Sequence, residues 1–339
     1  MIIHNPRHPN GAGVLRASRD DDRSGRGTPY IQPKIGLALS GGGARGLAHV
    51  GVLQVLEENK IPITAIAGTS MGAYVGAVYA AGLGGPELEK LAREIKDRRT
   101  LMSLLDWVVP PSSGLIRGDK IRKHLERTLG TRTFADLKLP LLIIATDLDT
   151  LDAHIFDSGL VTEAVHASAA IPGICTPVCL NGRRFTDGGA AEPLPVSVLR
   201  ERFNLNAVIA VNVLPTAEDI ARCRDASFTT LKKRPGLIPR LLNPINLMAY
   251  GNVMDTFRCA LMCAQVRLVE KEGRRADVLI HPFDCGSTWF DFEHFDRYIA
   301  TGRRAAEAAL PAIRALLSNP NPTDHETALH HSSVGCLAA

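Results

Sequence analysis

A three-layer α/β architecture, with a mainly parallel central sheet covered by helices on both faces, is predicted by three observations. Short, fully apolar runs recur along the chain, segments of helical period follow them, and the connections between the two are short.

Residues 34–39 (KIGLAL) read as the first buried strand and end in Ser40-Gly41-Gly42-Gly43, a glycine loop. A helix follows in which Leu47, Val50, Val52, Leu53, Val55 and Leu56 form an apolar stripe, stopped by Asn59-Lys60 and Pro62. Residues 63–67 form the second strand, and residues 71–81 a helix of mostly small apolar side chains. Further buried strands are expected at 141–146, 207–213 and 278–281, and helices near 119–129, 162–169 and 195–203. From Ile61 to Pro86 no side chain is charged, and Gly68, Gly72 and Gly76 repeat at small-xxx-small spacing. Pro62, Gly82, Gly84 and Gly85 interrupt that run, so strand plus helix is preferred to a membrane span.

The chain has 339 residues, 45% hydrophobic and 22% charged, an ordinary globular balance. No linker divides its middle, so one domain is expected over residues 31–317, between disordered tails at 1–30 and 318–339. Lys+Arg 39 against Asp+Glu 35 is too nearly even to indicate a nucleic-acid partner. The first 30 residues hold no apolar core of a secretory signal, and the seven cysteines lack the density of a disulfide scaffold. A reducing, cytoplasmic setting is therefore expected. Cys175 with Cys179 and Cys259 with Cys263 have no nearby histidine to complete a zinc set, so no metal is expected.

Three motifs carry chemistry. Gly68-Thr69-Ser70-Met71-Gly72 is G-x-S-x-G between a strand and a helix, the setting of a nucleophile elbow, where Gly68 and Gly72 let the two elements approach and Ser70 is presented on a sharp turn. The helix N-terminus aims partial positive charge at it. The second motif, Ser40 to Gly46, contains G-x-G-x-x-G, yet the following strand ends without the carboxylate a dinucleotide ribose requires. Leu47-Ala48 also replaces the Lys-Ser/Thr of a phosphate loop. Backbone amides free of side chains at Gly41, Gly42 and Gly43 fit an oxyanion hole better, with Arg45 holding the loop or adding positive potential. No cofactor is expected. The third motif is Asp187-Gly188-Gly189, a common turn sequence that gains weight from the other two.

With GGGARG, GTSMG and DGG in this order, the chain resembles the patatin-like phospholipase family, and more closely its bacterial branch related to neuropathy target esterase. The resemblance runs over about residues 34–214 and includes Gly114 to Gly118, Ala145 to Leu148 and Ser168 to Gly173. It is less specific beyond, although residues 282–302 also look like that branch. It implies a patatin-like fold and a Ser-Asp dyad without histidine, on Ser70 and Asp187. It further implies an oxyanion hole at the glycine loop, and cleavage of a fatty-acyl ester of a lipid through an acyl-serine intermediate. Ser40 stands where many members have Asp, and Gly189 where many have Ala; neither change touches that chemistry.

Two alternatives compete. A Ser-His-Asp hydrolase would need a late histidine, for which His281 and His294 are candidates, whereas His49, His154 and His166 read as packing or surface residues. A silent lipid-binding scaffold would keep the fold without turnover. Residues 229–268 are expected to approach the acyl groove and to make peripheral contact with the inner membrane surface. Lys232, Lys233, Arg234 and Arg240 alternate there with Leu237, Ile238, Leu241 and Leu242. A helical stripe of Leu247, Tyr250, Met254, Phe257, Leu261, Ala264 and Leu268 follows; packing of this helix on the core, with the basic loop simply solvated, is the commoner explanation.

Overall fold

The computed structural model describes residues 33–95, 98–109, 113–228 and 253–318. The expected tails, apart from Ser318, which ends the last helix, and the stretch 229–252, with its basic and apolar residues, lie outside the described residues.

Five parallel strands form the body of the sheet, in the order β3 (Leu141–Asp147), β2 (Ile63–Thr69), β1 (Ile35–Leu39), β7 (Ala207–Val211), β8 (Val278–Ile280). These are the five runs expected from continuous apolarity, and β1, β3 and β7 are buried along their whole length. Their side chains alternate between two cores. Leu37, Leu39, Ile66, Ile209 and Val211 face one, packed by α1 (Ala48–Glu58), α2 (Met71–Ala80) and α10 (Phe295–Ser318). Ala38, Ala65, Ala67, Val208 and Ala210 face the other, packed by α7 (Val196–Arg202) and Val269 of α9 (Val253–Gly273). Three layers result, each fully buried Leu or Ile contributing roughly 1.5–3 kcal/mol of apolar transfer energy.

Three strands went unpredicted, and all are antiparallel: β4 (Asp152–Phe156), β5 (Val178–Leu180) and β6 (Arg183–Asp187). β4 and β5 are only partly buried, so they lack the apolar run that marks the others. The β5–β6 hairpin turns on Asn181-Gly182, both at positive φ (51° and 77°), the two-residue loop whose twist suits antiparallel strands. That dipeptide is the signal that would have found it. The run from Ile61 to Pro86 contains β2 and α2, and among the described residues no helix is long and apolar enough to cross a membrane.

The stripe expected on α9 is not the buried one. Phe257 is 47% and Val253 79% exposed, Leu261 and Leu268 are half-buried, and Val266, Val269 and Glu272 face inward instead. Leu247 and Tyr250 lie outside the described residues.

A second correction concerns the cysteines. Cys223, on α8 (Ala217–Phe228), is bonded to Cys285, and the free ones among the described residues are Cys175, Cys179, Cys259 and Cys263. The inference of a reducing setting therefore loses its support. The bond closes a loop of 62 residues, for which chain entropy sets a ceiling of about 4 kcal/mol. Cys285→Ser is expected to lower the unfolding free energy by up to that amount, read by urea titration. An equal effect of dithiothreitol on the wild type, and none on the variant, checks the assignment.

Candidate active site

The site is built where strands end. Over Ile143–Asp147, β4 occupies one edge of β3, so β2 and β6 must share the other. Thr69, the last residue of β2, pairs with Ile144, and Asp187, the last of β6, pairs with Ala145. Ser70 and Asp187 therefore fall on adjoining rungs, one arriving from a parallel strand and the other from an antiparallel one.

Ser70 has φ 55° and ψ −119°, a conformation that costs an L-residue of order 1–3 kcal/mol and persists only when its surroundings fix it. Several contacts do so. The Ser70 amide donates to Ser168 Oγ at 2.8 Å, and Ser168 Oγ donates to Ile144 O at 2.5 Å. Side chains at Gly68 or Gly72 would collide with backbone, at Gly72 O and Leu39 O respectively, so strand and helix close on each other as the G-x-S-x-G spacing requires. Ser70 Oγ then donates to Asp187 Oδ2 at 2.5 Å.

Asp187 is equally constrained. Its Oδ1 accepts the Gly189 amide at 2.8 Å, its carbonyl accepts Thr146 Oγ1 at 2.9 Å, and its amide donates to Ala170 O at 2.8 Å. Burial pushes its carboxyl up to about 6, against the bonds from Ser70 and Gly189 that favour the charged form. At neutral pH it is still ionised, yet a stronger base than a carboxylate in water.

The glycine loop lies against the serine: a methyl on Gly41 would sit 3.3 Å from Ser70 Cβ. Ser40 anchors its entry, with Oγ accepting the Val213 amide at 2.9 Å. The Gly41 amide donates to Pro193 O at 3.0 Å and the Ala44 amide to Trp289 O at 2.7 Å. Between them, the amides of Gly42 and Gly43 have no hydrogen-bond partner among the described residues. The expectation of three donors thus narrows to two, because Gly41 uses its amide to hold the loop. Gly43, at φ 58°, is pressed on the Trp289 carbonyl and admits no side chain. The Arg45 guanidinium donates to Ser287, which supports the loop-holding alternative for that residue.

The histidines stand elsewhere. His281 Nε2 meets Asp219 Oδ2 at 2.6 Å and its Nδ1 meets Asn212 O at 2.7 Å; His294 Nδ1 meets Asp291 Oδ1 at 2.8 Å. Buried His49 contacts Ser40 O at 2.9 Å, and burial pushes it down to about 4. Among the described residues no histidine bonds Ser70 or Asp187. His281→Ala is therefore expected to lower stability by about 1–3 kcal/mol, while turnover per folded molecule stays within about threefold; a loss comparable to that of a nucleophile variant would restore the triad. Among the described residues no cluster of His, Cys, Asp and Glu could hold a metal ion.

Residue order alone assigns no role to Ser168 or Thr146, although both lie in stretches that carry the resemblance, Ser168 to Gly173 and Ala145 to Leu148. The chemistry open to the arrangement is acyl transfer: a hydroxyl beside a buried base, with two unengaged amides on the adjacent loop.

Residues 37–200 match the profile of the patatin-like phospholipase family. An uncharacterized NTE family protein of Mycobacterium tuberculosis is 37% identical over 196 residues, covering 57% of this chain and 52% of the relative. Human patatin-like phospholipase domain-containing protein 6 is 29% identical over 326 residues, covering 91% of this chain and 23% of the relative. The chain thus spans about half the length of the mycobacterial relative and about a quarter of the human one. The solved structure of VipD from Legionella pneumophila aligns with TM-score 0.45 at 14% identity, over 84% of this chain and 67% of that one.

Proposed function

The chain belongs, through residues 37–200, to the patatin-like phospholipase family, and from that premise we propose that it is a serine acyl-hydrolase of fatty-acyl lipid esters, such as (lyso)phospholipids. The observation that carries the reading is the 2.5 Å hydrogen bond from Ser70 Oγ, on a residue at positive φ, to a buried Asp187. The catalytic unit is the single domain of about residues 31–317, and its chemistry calls for no cofactor.

Ser70 Oγ attacks the acyl carbon as its proton passes to Asp187, and the carbonyl electron pair moves onto oxygen, facing the Gly42 and Gly43 amides. Collapse of this intermediate expels the alcohol, which takes the proton from Asp187. Water then adds to the acyl carbon as the same carboxylate takes its proton, and collapse breaks the bond to Ser70 Oγ, which takes the proton back from Asp187 as the fatty acid leaves. A carboxylate suits both steps because burial brings its affinity for protons closer to neutrality.

The lipid surface is met peripherally, through residues 229–268. Lys232, Lys233, Arg234 and Arg240 lie outside the described residues, and the support is the composition of that stretch together with exposed Val253 and Phe257 on α9, whose Gln265 bonds Gly189 O at 3.0 Å beside Asp187.

The test is to incubate purified protein with a fluorophosphonate and with mixed lipid esters. Covalent mass on the peptide containing Ser70, and fatty-acid release abolished by the label, are expected. An unlabelled but folded protein identifies a silent lipid-binding scaffold instead.

A further inference from the structure

Three successive glycines bring amides close to a reacting carbonyl but are the least able of any residues to hold themselves still. The rigidity of residues 41–43 must come from their neighbours, and much of it comes from a segment outside the family-matched region. Trp289 O accepts the Ala44 amide and closes the space over Gly43. Arg45 Nε donates to Ser287 Oγ at 3.0 Å and its Nη2 to Ser287 O at 2.9 Å, with the guanidinium 5.6 Å from the centroid of the Phe283 ring. Burial lowers the pKa of Arg45, so its guanidinium is held at a desolvation cost against which the two Ser287 acceptors and the Phe283 ring are set.

Ser287 is itself fixed. It is buried, its amide donates to Asp284 O at 2.9 Å, and Asp284 Oδ2 accepts Arg297 Nε of α10 at 2.9 Å. Two residues before it, Cys285 is bonded to Cys223 of α8.

We propose that Ser287, acting through Arg45, is a positioning residue for the oxyanion loop, setting the Gly42 and Gly43 amides relative to Ser70. The inference rests on the hydrolase reading above. Oxyanion stabilisation depends on donors held near 3 Å from where charge develops, so a loosened loop weakens the transition state more than the bound substrate.

The experiment compares wild type, Ser287→Ala, Ser287→Thr, Phe283→Leu and Arg45→Met, using a soluble short-chain ester and a trifluoromethyl ketone. The ketone accepts Ser70 Oγ at its carbonyl carbon while the Ser70 proton passes to Asp187, giving a hemiketal whose oxygen carries the negative charge. For Ser287→Ala, kcat is expected to fall about tenfold with KM within about twofold, and ketone affinity to fall by the same factor as kcat. Ser287→Thr, which keeps the hydroxyl, recovers to within about threefold of wild type, and Arg45→Met, which loses both bonds, falls about a hundredfold. Should Ser287→Ala fail to fold, Phe283→Leu carries the test, with a loss of about threefold shared by kcat and ketone affinity.

An active wild type whose folded Ser287 and Arg45 variants stay within about twofold in kcat overturns the inference and leaves the hydrolase reading standing. A kcat loss without a matching loss of ketone affinity also overturns it, because support of the fold alone would act that way. A folded wild type that neither turns over ester nor reacts with fluorophosphonate removes the hydrolase reading and this inference together.

Discussion

Ser70→Ala is expected to reduce ester turnover by at least about 10⁴-fold and to abolish fluorophosphonate labelling, because no other group in the arrangement can form the acyl intermediate. The fold should survive. The backbone contacts that hold the elbow, including the Ser70 amide on Ser168 Oγ, do not involve the deleted oxygen. What is lost is one donor to a buried carboxylate, about 1.5–3 kcal/mol at neutral pH, since Asp187 Oδ2 receives its bond from Ser70 Oγ. Circular dichroism and a denaturant midpoint measure that loss separately from activity. Adding Asp187→Asn to Ser70→Ala should cost little further activity, because a base without a nucleophile has nothing to deprotonate. Residual turnover above about 1% in protein free of wild type would place the nucleophile elsewhere.

Much of the site was legible because its residues are tied to backbone geometry. Gly68 and Gly72 are demanded by close approach, Gly43 by its φ and the Trp289 carbonyl, and such demands leave a mark in the order of residues. The five parallel strands were legible for a similar reason, since burial on both faces leaves an uninterrupted apolar run. The antiparallel strands carry no such run. β6 has Arg183 and Arg184 before Phe185, and those arginines pair with Asp147 and Asp149, so the strand that delivers Asp187 reads as a polar turn. Trp289 and Ser287 left no local trace either. Their part depends on a carbonyl and a hydroxyl more than 240 residues along the chain from Arg45, and one sequence cannot show such a pairing. The disulfide was missed on the same ground, as its partners are 62 residues apart and the spacing matches no recurrent framework.

The carboxylate and the glycine loop also explain each other. Gly188 and Gly189 turn the chain sharply after Asp187, and the chain then passes Glu192, whose carbonyl accepts Thr69 Oγ1 at 2.8 Å, and Pro193, whose carbonyl accepts the Gly41 amide. Asp187, the turn at Ser70 and the glycine loop thus share one six-residue connection, residues 188–193. A substitution in it that shifts one is expected to shift the others, which is why effects there should not add.

Asp187→Asn should lower kcat by about 10²–10⁴-fold, the range of a lost general base, and at the same time make the protein more stable above neutral pH. The second effect follows from the direction of the titration. Burial raises the folded-state carboxyl from 3.8 to about 6, so between those values the native protein binds more protons than the unfolded chain. The stability linked to that proton is complete below about pH 4 and is lost as pH rises through about 6, leaving a penalty of roughly 3 kcal/mol at pH 8 as an upper bound. Asparagine never carries the charge, and its side-chain oxygen can still accept the Gly189 amide. Urea titrations should therefore separate variant from wild type at pH 8 and bring them together near pH 4. Wild-type kcat/KM should fall tenfold per pH unit below about 6, as the base is protonated, while the residual activity of Asp187→Asn stays flat over that range. A variant less stable than wild type at pH 8, or a wild-type profile flat down to pH 4, would show that Asp187 is not the buried, ionised base on which the mechanism depends.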